Sequence, residues 1–421
     1  MSDNLILQER DTAVNWHPYT QMKTAATIPI VSGRGSYLYD ADGKQYIDAI
    51  SSWWVTLHGH AHPYIAQKVS EQLQTLEQVI FAGFTHPQAI ELSERLLALL
   101  PEQQEKVFYS DNGSTAVEVA VKMCIQYYAN LNIPKSKILA FKNGYHGDTF
   151  GAMSISERNT WTAPFREQLF EVIYIEVPDE SNMEQVKATI DLHAADVICF
   201  IYEPLVQGAG GMLMHEAKHL SALLNHCRAQ NILLIQDEIF VGFGRTGTLF
   251  AADQLDCAPD LMCFSKGLTG GTMPMGITTA SRAIYQAFFS DDKSRSFFHG
   301  HSFTANPLAC TAALASLDLL LATDTRESIQ NICDRHQEFI REFTTDKARV
   351  RQCGTILAIE ILSEQSSYFN ALQPYLYQYF IDRNIIIRPL GNIIYLVPPY
   401  CISKADLDYI YATIMELIDK I

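Results

Sequence analysis

The sequence predicts an α/β protein: a large domain whose mainly parallel sheet is covered by helices, and a small α+β domain built from both chain ends. Three observations carry that expectation. From about residue 62 to about 305, short apolar runs alternate with helical patterns, the texture of a parallel sheet covered on both faces. Two of those runs, Ile232–Ile235 and Leu261–Phe264, lead into Asp237 and Lys266, ionisable residues at carboxyl ends of strands, where open α/β sheets bind ligands. Both chain ends instead mix short strands, turns and aromatics. The expected boundaries are therefore 1–57 and 306–421 for the small domain and 58–305 for the large one.

In chain order, Tyr37-Leu38-Tyr39 should turn through Asp40-Ala41-Asp42-Gly43 into Tyr46-Ile47-Asp48, a hairpin. A helix is expected from about His62, with Ile65, Val69, Leu73 and Leu76 on one face. Val107–Tyr109, Ile138–Phe141 and Val197–Tyr202 read as strands beside the two already named. Between the first two of these, a helix from Gly113 to about Asn130 carries Val117, Val121, Cys124 and Tyr128 at helical spacing. A long helix should begin after Asn306-Pro307. Ile356–Ile361 and Ile385–Val397 read as strands, the latter broken at Leu390-Gly391-Asn392.

With 421 residues the chain is comfortable as one large and one small domain. A net charge of −16 argues against a nucleic-acid partner, although a helix amino terminus can still hold one phosphate. Nine scattered cysteines, with Cys124, Cys199 and Cys310 in apolar surroundings, read as reduced core residues. The first residues lack a signal-peptide layout and no apolar run spans a bilayer, so the expected location is cytoplasmic, with no membrane partner.

Asp237 and Lys266 are the pair that pyridoxal 5'-phosphate chemistry needs. A lysine amine bonds the cofactor aldehyde, and a carboxylate keeps the pyridine nitrogen protonated so that the ring acts as an electron sink. Phe108–Thr115 reads as strand, turn and helix start: Gly113 lets the backbone approach a ligand, Ser114 offers a hydroxyl, and the first helical amides suit a phosphate. An ordinary capped helix reads the same way; beside the lysine and aspartate, the phosphate cup is preferred. Tyr145, after the strand ending at Phe141, can stack on the cofactor ring, and His146 is given a supporting rather than a catalytic place. Gly242–Gly247 spells G-x-G-x-x-G, but Thr248–Ala251 opens no amphipathic helix, so a dinucleotide is rejected. Arg245 in that loop serves either a substrate carboxylate or a structural ion pair. The alternating His58, His60 and His62, and His299 and His301, have no nearby cysteine or carboxylate to complete a shell, and no metal is expected.

WHPYT (Trp16–Thr20), SSWW (Ser51–Trp54), GYHGDTFGAMS (Gly144–Ser154) and RPLGNIIYLVPPY (Arg388–Tyr400) join the lysine and aspartate motifs in a resemblance covering nearly the whole chain. The chain resembles the fold-type I, class III aminotransferases, and within them the branch that serves biotin synthesis with S-adenosylmethionine as amino donor. The resemblance implies that Lys266, Asp237 and Tyr145 are catalytic, and that Tyr19, Trp53, Trp54, Tyr145, Gly300 and Arg388 hold substrate. Arg388 would take a carboxylate through a two-pronged contact. It implies that Gly113, Ser114, Tyr145, Asp237 and Lys266 hold the cofactor. It also implies a homodimer in which Phe297–Pro307 reaches the partner's cofactor phosphate, through backbone at His301 and the hydroxyl of Ser302, with Thr304 the competing choice. Proline and threonine stand in the biotin enzymes where this chain has His301 and Ser302. Ornithine- and γ-aminobutyrate-type members carry a glutamate in the loop that reads Gln207-Gly208-Ala209 here, and a glutamine where this chain has Phe240. Both departures point away from the ω-amino-acid branch. Lysine as donor, a diamine or ω-amino-acid substrate, and a cofactor store without catalysis are the competing readings.

Overall fold

The computed structural model describes residues 2–362 and 372–421. Strands β1 (Ile30–Arg34), β2 (Tyr37–Asp40) and β3 (Gln45–Asp48) form an antiparallel meander. The β2–β3 turn is the expected hairpin. Asp40 holds it, accepting from the backbone N–H groups of Asp42 (3.1 Å) and Lys44 (2.8 Å) on one carboxylate oxygen.

The central sheet contains β4 (Gln104–Ser110), β5 (Lys137–Phe141), β6 (Ile173–Ile175) and β7 (Val197–Tyr202). After the short ribbon of β8 (Val206–Gln207) and β9 (Leu213–Met214), it is completed by β10 (Leu233–Asp237), β11 (Leu261–Phe264) and β12 (Gly276–Ser281). The strand order is β4-β12-β11-β10-β7-β5-β6. Six strands run one way, and β12 is antiparallel to both its neighbours. All six residues of β7 are buried, as a strand covered by helices on both faces requires. Each Val, Ile or Phe buried there contributes about 1.5–3 kcal/mol of transfer free energy.

Strand β12 was not among the expected strands. Its core sequence, Ile277-Thr278-Thr279-Ala280, has neither an apolar run nor a clean alternation. Its threonines are nonetheless buried, because Thr278 donates to Ala116 O (2.7 Å) and Thr279 to Gln104 Oε1 (2.7 Å).

The helix Gly113–Asn130 lays Val117, Val121, Cys124 and Tyr128 into the core, as its spacing predicts. The helix beginning at Pro63 ends at Leu73, earlier than expected. Gln72 turns inward and donates to Leu76 O (2.8 Å), which closes the segment, so Leu76 lies beyond the helix and Leu73 is exposed. The helix after Asn306 runs Pro307–Leu321, with the Asn306 side chain accepting from Ala309 N–H; a second, Thr323–Glu342, follows a break at Ala322.

Strands β13 (Ala348–Cys353), β14 (Ile356–Ile361) and β16 (Ile393–Leu396) form an antiparallel sheet, while β15 (Ile385–Ile386) pairs parallel with β3. The apolar stretch 385–397 is therefore split between two sheets, with the bend at Gly391 (φ 63°). The nine cysteines are free, and Cys124, Cys199 and Cys310 are buried. Among the described residues no single helix is long and apolar enough to cross a membrane.

Candidate active site

Strands β10 and β11 are parallel neighbours, with Asp237 opposite Cys263. Asp237 is the last residue of β10, and Lys266 follows β11 by two, so the chain delivers both to the carboxyl edge of the sheet. Ser265 pins the turn by donating to Met275 O (2.7 Å), and Lys266 takes up φ 45°. A non-glycine residue in the left-handed region costs on the order of 1 kcal/mol and persists where the surroundings over-determine it.

The Lys266 amine stands 4.7 Å from the ring centre of Trp54 and 5.7 Å from that of Phe240. Burial lowers its pKa to about 8, while Asp237 and Glu203 pull the other way. Between about 8 and the ordinary 10.5, the unfolded chain holds a proton that the folded chain has released, so folding gains stability as pH rises through that window. In cofactor-free protein, Lys266→Met should raise the melting temperature at about pH 7.5, and the advantage should shrink by about pH 10. A constant difference across that range would contradict the depressed amine.

Asp237 is buried. Its Oδ2 accepts from His146 Nδ1 (2.7 Å) and its Oδ1 from the Ile239 N–H (3.0 Å). His146 is fixed in turn by its own N–H donating to Ser156 Oγ (2.9 Å). Two contacts on one carboxylate leave it little freedom to rotate; His146 orients it and also lines the cavity.

The start of the helix Gly113–Asn130 is capped reciprocally. Asn112 Oδ1 accepts from Thr115 N–H (3.0 Å), and Thr115 Oγ1 from Asn112 N–H (3.2 Å). The N–H groups of Gly113 and Ser114 have no partner among the described residues, and both residues line the cavity. Space here is kept bare: a Cβ on Gly147 (φ +133°) would lie 2.0 Å from Ser114 Oγ, and one on Gly113 3.0 Å from Ile239. A phosphate-sized cradle results.

Tyr145 N–H donates to Glu203 Oε1 (2.9 Å), and its hydroxyl to Asp148 Oδ2 (3.0 Å). Burial pushes the Tyr145 hydroxyl pKa upward, so the phenol stays neutral. Glu203 also accepts from the Gly208 N–H (2.9 Å), and burial pushes its carboxyl up to about 7. Sequence reading missed Glu203, although the signal was the one that exposed Asp237: an acid closing a wholly apolar strand.

At the outer side, the Tyr19 and Trp53 rings meet edge-on at 5.5 Å. The Arg388 guanidinium lies 4.9 Å from the Trp53 ring and donates to Tyr19 O (3.2 Å). Trp54 packs on Phe240 at 4.4 Å. A cavity of about 610 Å³ brings together Tyr19, Trp53, Trp54, Gly113, Ser114, Tyr145, Asp237, Lys266 and Arg388, every predicted site residue except three. Gly300, His301 and Ser302 do not line it within this chain. Ser302 O accepts from Gln78 Nε2 (2.5 Å), and His301 N–H donates to Thr304 Oγ1 (3.1 Å). Trp161, unremarked in the sequence, also lines the cavity, edge-on to Tyr19 at 6.5 Å.

Arg245 lies outside this cavity, which removes it as a substrate contact there. It is buried, with Nη1 donating to Pro398 O (2.7 Å) and its guanidinium 5.0 Å from the Tyr400 ring. The loop Gly242–Gly247 forms turns without a following α-helix. His58 bonds Ser316 Oγ (3.1 Å) and His60 bonds Asp48 Oδ2 (2.8 Å).

A family model, aminotransferase class III, matches residues 19–418. The chain is 46% identical to the adenosylmethionine-8-amino-7-oxononanoate aminotransferase of Synechococcus elongatus, covering 96% of this chain and 98% of that protein. It is 36% identical to the enzyme of that name from Geobacter sulfurreducens, covering 97% and 96%. The crystal structure of the Methanocaldococcus jannaschii enzyme of that name superposes with a TM-score of 0.95 at 32% identity, covering 99% of each chain. The chain belongs to the class III aminotransferases. It is a fold-type I, pyridoxal-phosphate-dependent aminotransferase acting on small molecules. The residues present fit that cofactor: an amine and a carboxylate at adjacent strand ends, an aromatic side chain, and two unpartnered helical N–H groups in a cradle that a Cβ would fill.

Proposed function

We propose that the protein transfers the amino group of S-adenosylmethionine to 8-amino-7-oxononanoate, giving 7,8-diaminononanoate for biotin synthesis. The reading is supported by the names of relatives at 46% and 36% identity over nearly the full chain. The observation that carries it is one cavity holding Lys266, Asp237 and Arg388 between the aromatic rings of Tyr19, Trp53 and Trp54, with Ala209 and Phe240 in the wall. An aliphatic amino-keto-acid suits such a wall, and Arg388 offers its carboxylate a planar pair of donors.

When bound, pyridoxal phosphate supplies the electron sink and the carrier for the amino group between the two half-reactions. Lys266 would anchor that cofactor, and its Nζ, once free, would take up and give back the proton of the substrate carbon. A pKa near 8 leaves a useful fraction of that amine unprotonated at neutral pH. Asp237, clamped by His146 and Ile239 N–H, would hold the cofactor's ring nitrogen protonated. Tyr145 would stack on the cofactor, while the N–H groups of Gly113 and Ser114 and the Ser114 hydroxyl would hold its phosphate. Tyr19 and Trp53 keep water from the reacting carbon.

We read the active protein as a cytoplasmic homodimer, in which Gly300 contributes to the partner's substrate site and His301 and Ser302 to its cofactor phosphate. We read residues 1–57 and 306–421 as one small domain beside 58–305, a division favoured by the pairing of β15 with β3.

Arg388→Ala should raise the acceptor KM by about ten- to a hundredfold, the worth of a charge-assisted pair, with less change in kcat. Steady-state kinetics check it, and an unmoved KM would remove the arginine from the substrate. The function itself is tested by the absorption spectrum of the holoenzyme with S-adenosylmethionine alone. Loss of the yellow band is expected; a band that ignores S-adenosylmethionine but bleaches with lysine would reassign the donor.

A further inference from the structure

A second cavity, of about 320 Å³, adjoins the first. Tyr145, Trp161, Ala209 and Leu390 line both, so the two spaces meet across those side chains. The side cavity is walled by amides and one acid, Asn143, Asn159, Asn392 and Glu157, and no lysine or arginine lines it among the described residues. Its floor is bare backbone: a Cβ on Gly210 would come within 2.3 Å of Asn143 O, and Gly211 takes φ +95°.

The wall is built rather than incidental. Glu157 Oε2 accepts from the Asn143 N–H (2.8 Å), the Glu157 N–H donates to Gly144 O (2.9 Å), and Oε1 has no partner among the described residues. Asn159 Oδ1 accepts from the N–H groups of Trp161 (2.9 Å) and Thr162 (3.2 Å), a turn that fixes where the indole starts. Such a space repels a carboxylate and suits a neutral, flat, hydrogen-bonding group. Its volume is at the lower end of small-molecule pockets, about 300–1,000 Å³.

The two substrates make different demands on the main cavity. The acceptor is a single aliphatic chain that runs between Lys266 and Arg388. The donor must bring its amino-acid end to Lys266 as well, and its bulk then has to leave sideways. We infer that the side cavity holds the nucleoside end of the amino donor, with Glu157 accepting from the ribose hydroxyls and Trp161 against the purine face. A carboxylate is a common acceptor for ribose hydroxyls, and aromatic rings stack on bases. Ala209 is the gateway: its small side chain leaves open the passage that a longer one would close. The inference rests on the adenosylmethionine reading above.

The test uses holoenzyme and three proteins: wild type, Ala209→Leu, which narrows the gateway, and Glu157→Gln, which keeps an oxygen for the Asn143 N–H while removing the charge. The probe is 5'-methylthioadenosine, a nucleoside thioether without the amino-acid end, with binding read by calorimetry. Both variants should bind it about tenfold or more weakly and show a matching rise in donor KM; in Glu157→Gln, altered at a residue that does not line the main cavity, the acceptor KM should stay within about twofold. Equal shifts in both KM values in Glu157→Gln, or unchanged methylthioadenosine binding in either variant, would overturn the subsite. If wild type discharges its colour with S-adenosylmethionine and the variants are unaffected, only the subsite falls. If wild type ignores S-adenosylmethionine, the donor assignment fails and the subsite goes with it.

Discussion

Lys266→Ala should leave a folded protein whose transamination rate is lower by at least about a thousandfold. In the proposed mechanism the lysine carries two duties, the covalent hold on the cofactor and the proton transfer at the substrate carbon; proton transfer by a positioned group alone is worth about 10²–10⁴ in rate. A thousandfold corresponds to about 4 kcal/mol of transition-state stabilisation. Folding should survive, because the amine lies near Trp54 and Phe240 without a hydrogen-bonded partner among the described residues, and its desolvation opposes the folded state. The variant should therefore melt at or above the wild-type temperature while its single-turnover rate collapses. Full activity in Lys266→Ala would end the assignment. A colourless, unfolded protein would instead say that the φ 45° turn depends on lysine, and Lys266→Met would then separate fold from chemistry.

Asp237→Asn is expected to be the next most damaging change, lowering both half-reactions by about a hundredfold or more while the cofactor still binds. The substitution keeps the shape and an oxygen for the Ile239 N–H (3.0 Å), turns an NH2 group toward His146 Nδ1, and removes the charge proposed to hold the ring nitrogen protonated. Removing one preorganised electrostatic partner from a water-poor site typically costs about 10²–10³ in rate. The distinguishing measurement is a pair of single half-reactions, followed by absorbance, beside a cofactor-binding titration. Slow half-reactions with intact binding support the role; unchanged rates would remove it, and loss of binding alone would make Asp237 a structural residue.

Much of this site could be read from the sequence because its chemistry sits at the ends of strongly patterned elements. The apolar runs before Asp237 and Lys266 became neighbouring parallel strands, and the glycine and serine at the start of the 113–130 helix line the same cavity. What escaped depends on partners distant in the chain. Strand β12 is held by threonine hydroxyls bonded to Ala116 and Gln104, contacts that no local pattern announces. The helix after Pro63 stopped early because Gln72, polar by composition, is buried, whereas Leu73 is not. Trp161 lies in an irregular loop where periodicity says nothing, and only the fold sets it against Tyr19. Gly300, His301 and Ser302 do not line the cavity of their own chain, and nothing in the local pattern of Phe297–Pro307 announces that.

The reversed strand β12 acts as a ruler. It stands between β11, whose end leads to Lys266, and β4, whose end leads to Gly113 and Ser114. Neighbouring strands keep about 4.8 Å between them, so two steps set the covalent anchor and the phosphate cradle roughly 10 Å apart, independently of the loops. Side-chain redesign around the cavity, or insertions in the 267–275 turn, can then change what the enzyme accepts without altering the spacing between Lys266 and the Gly113–Ser114 turn.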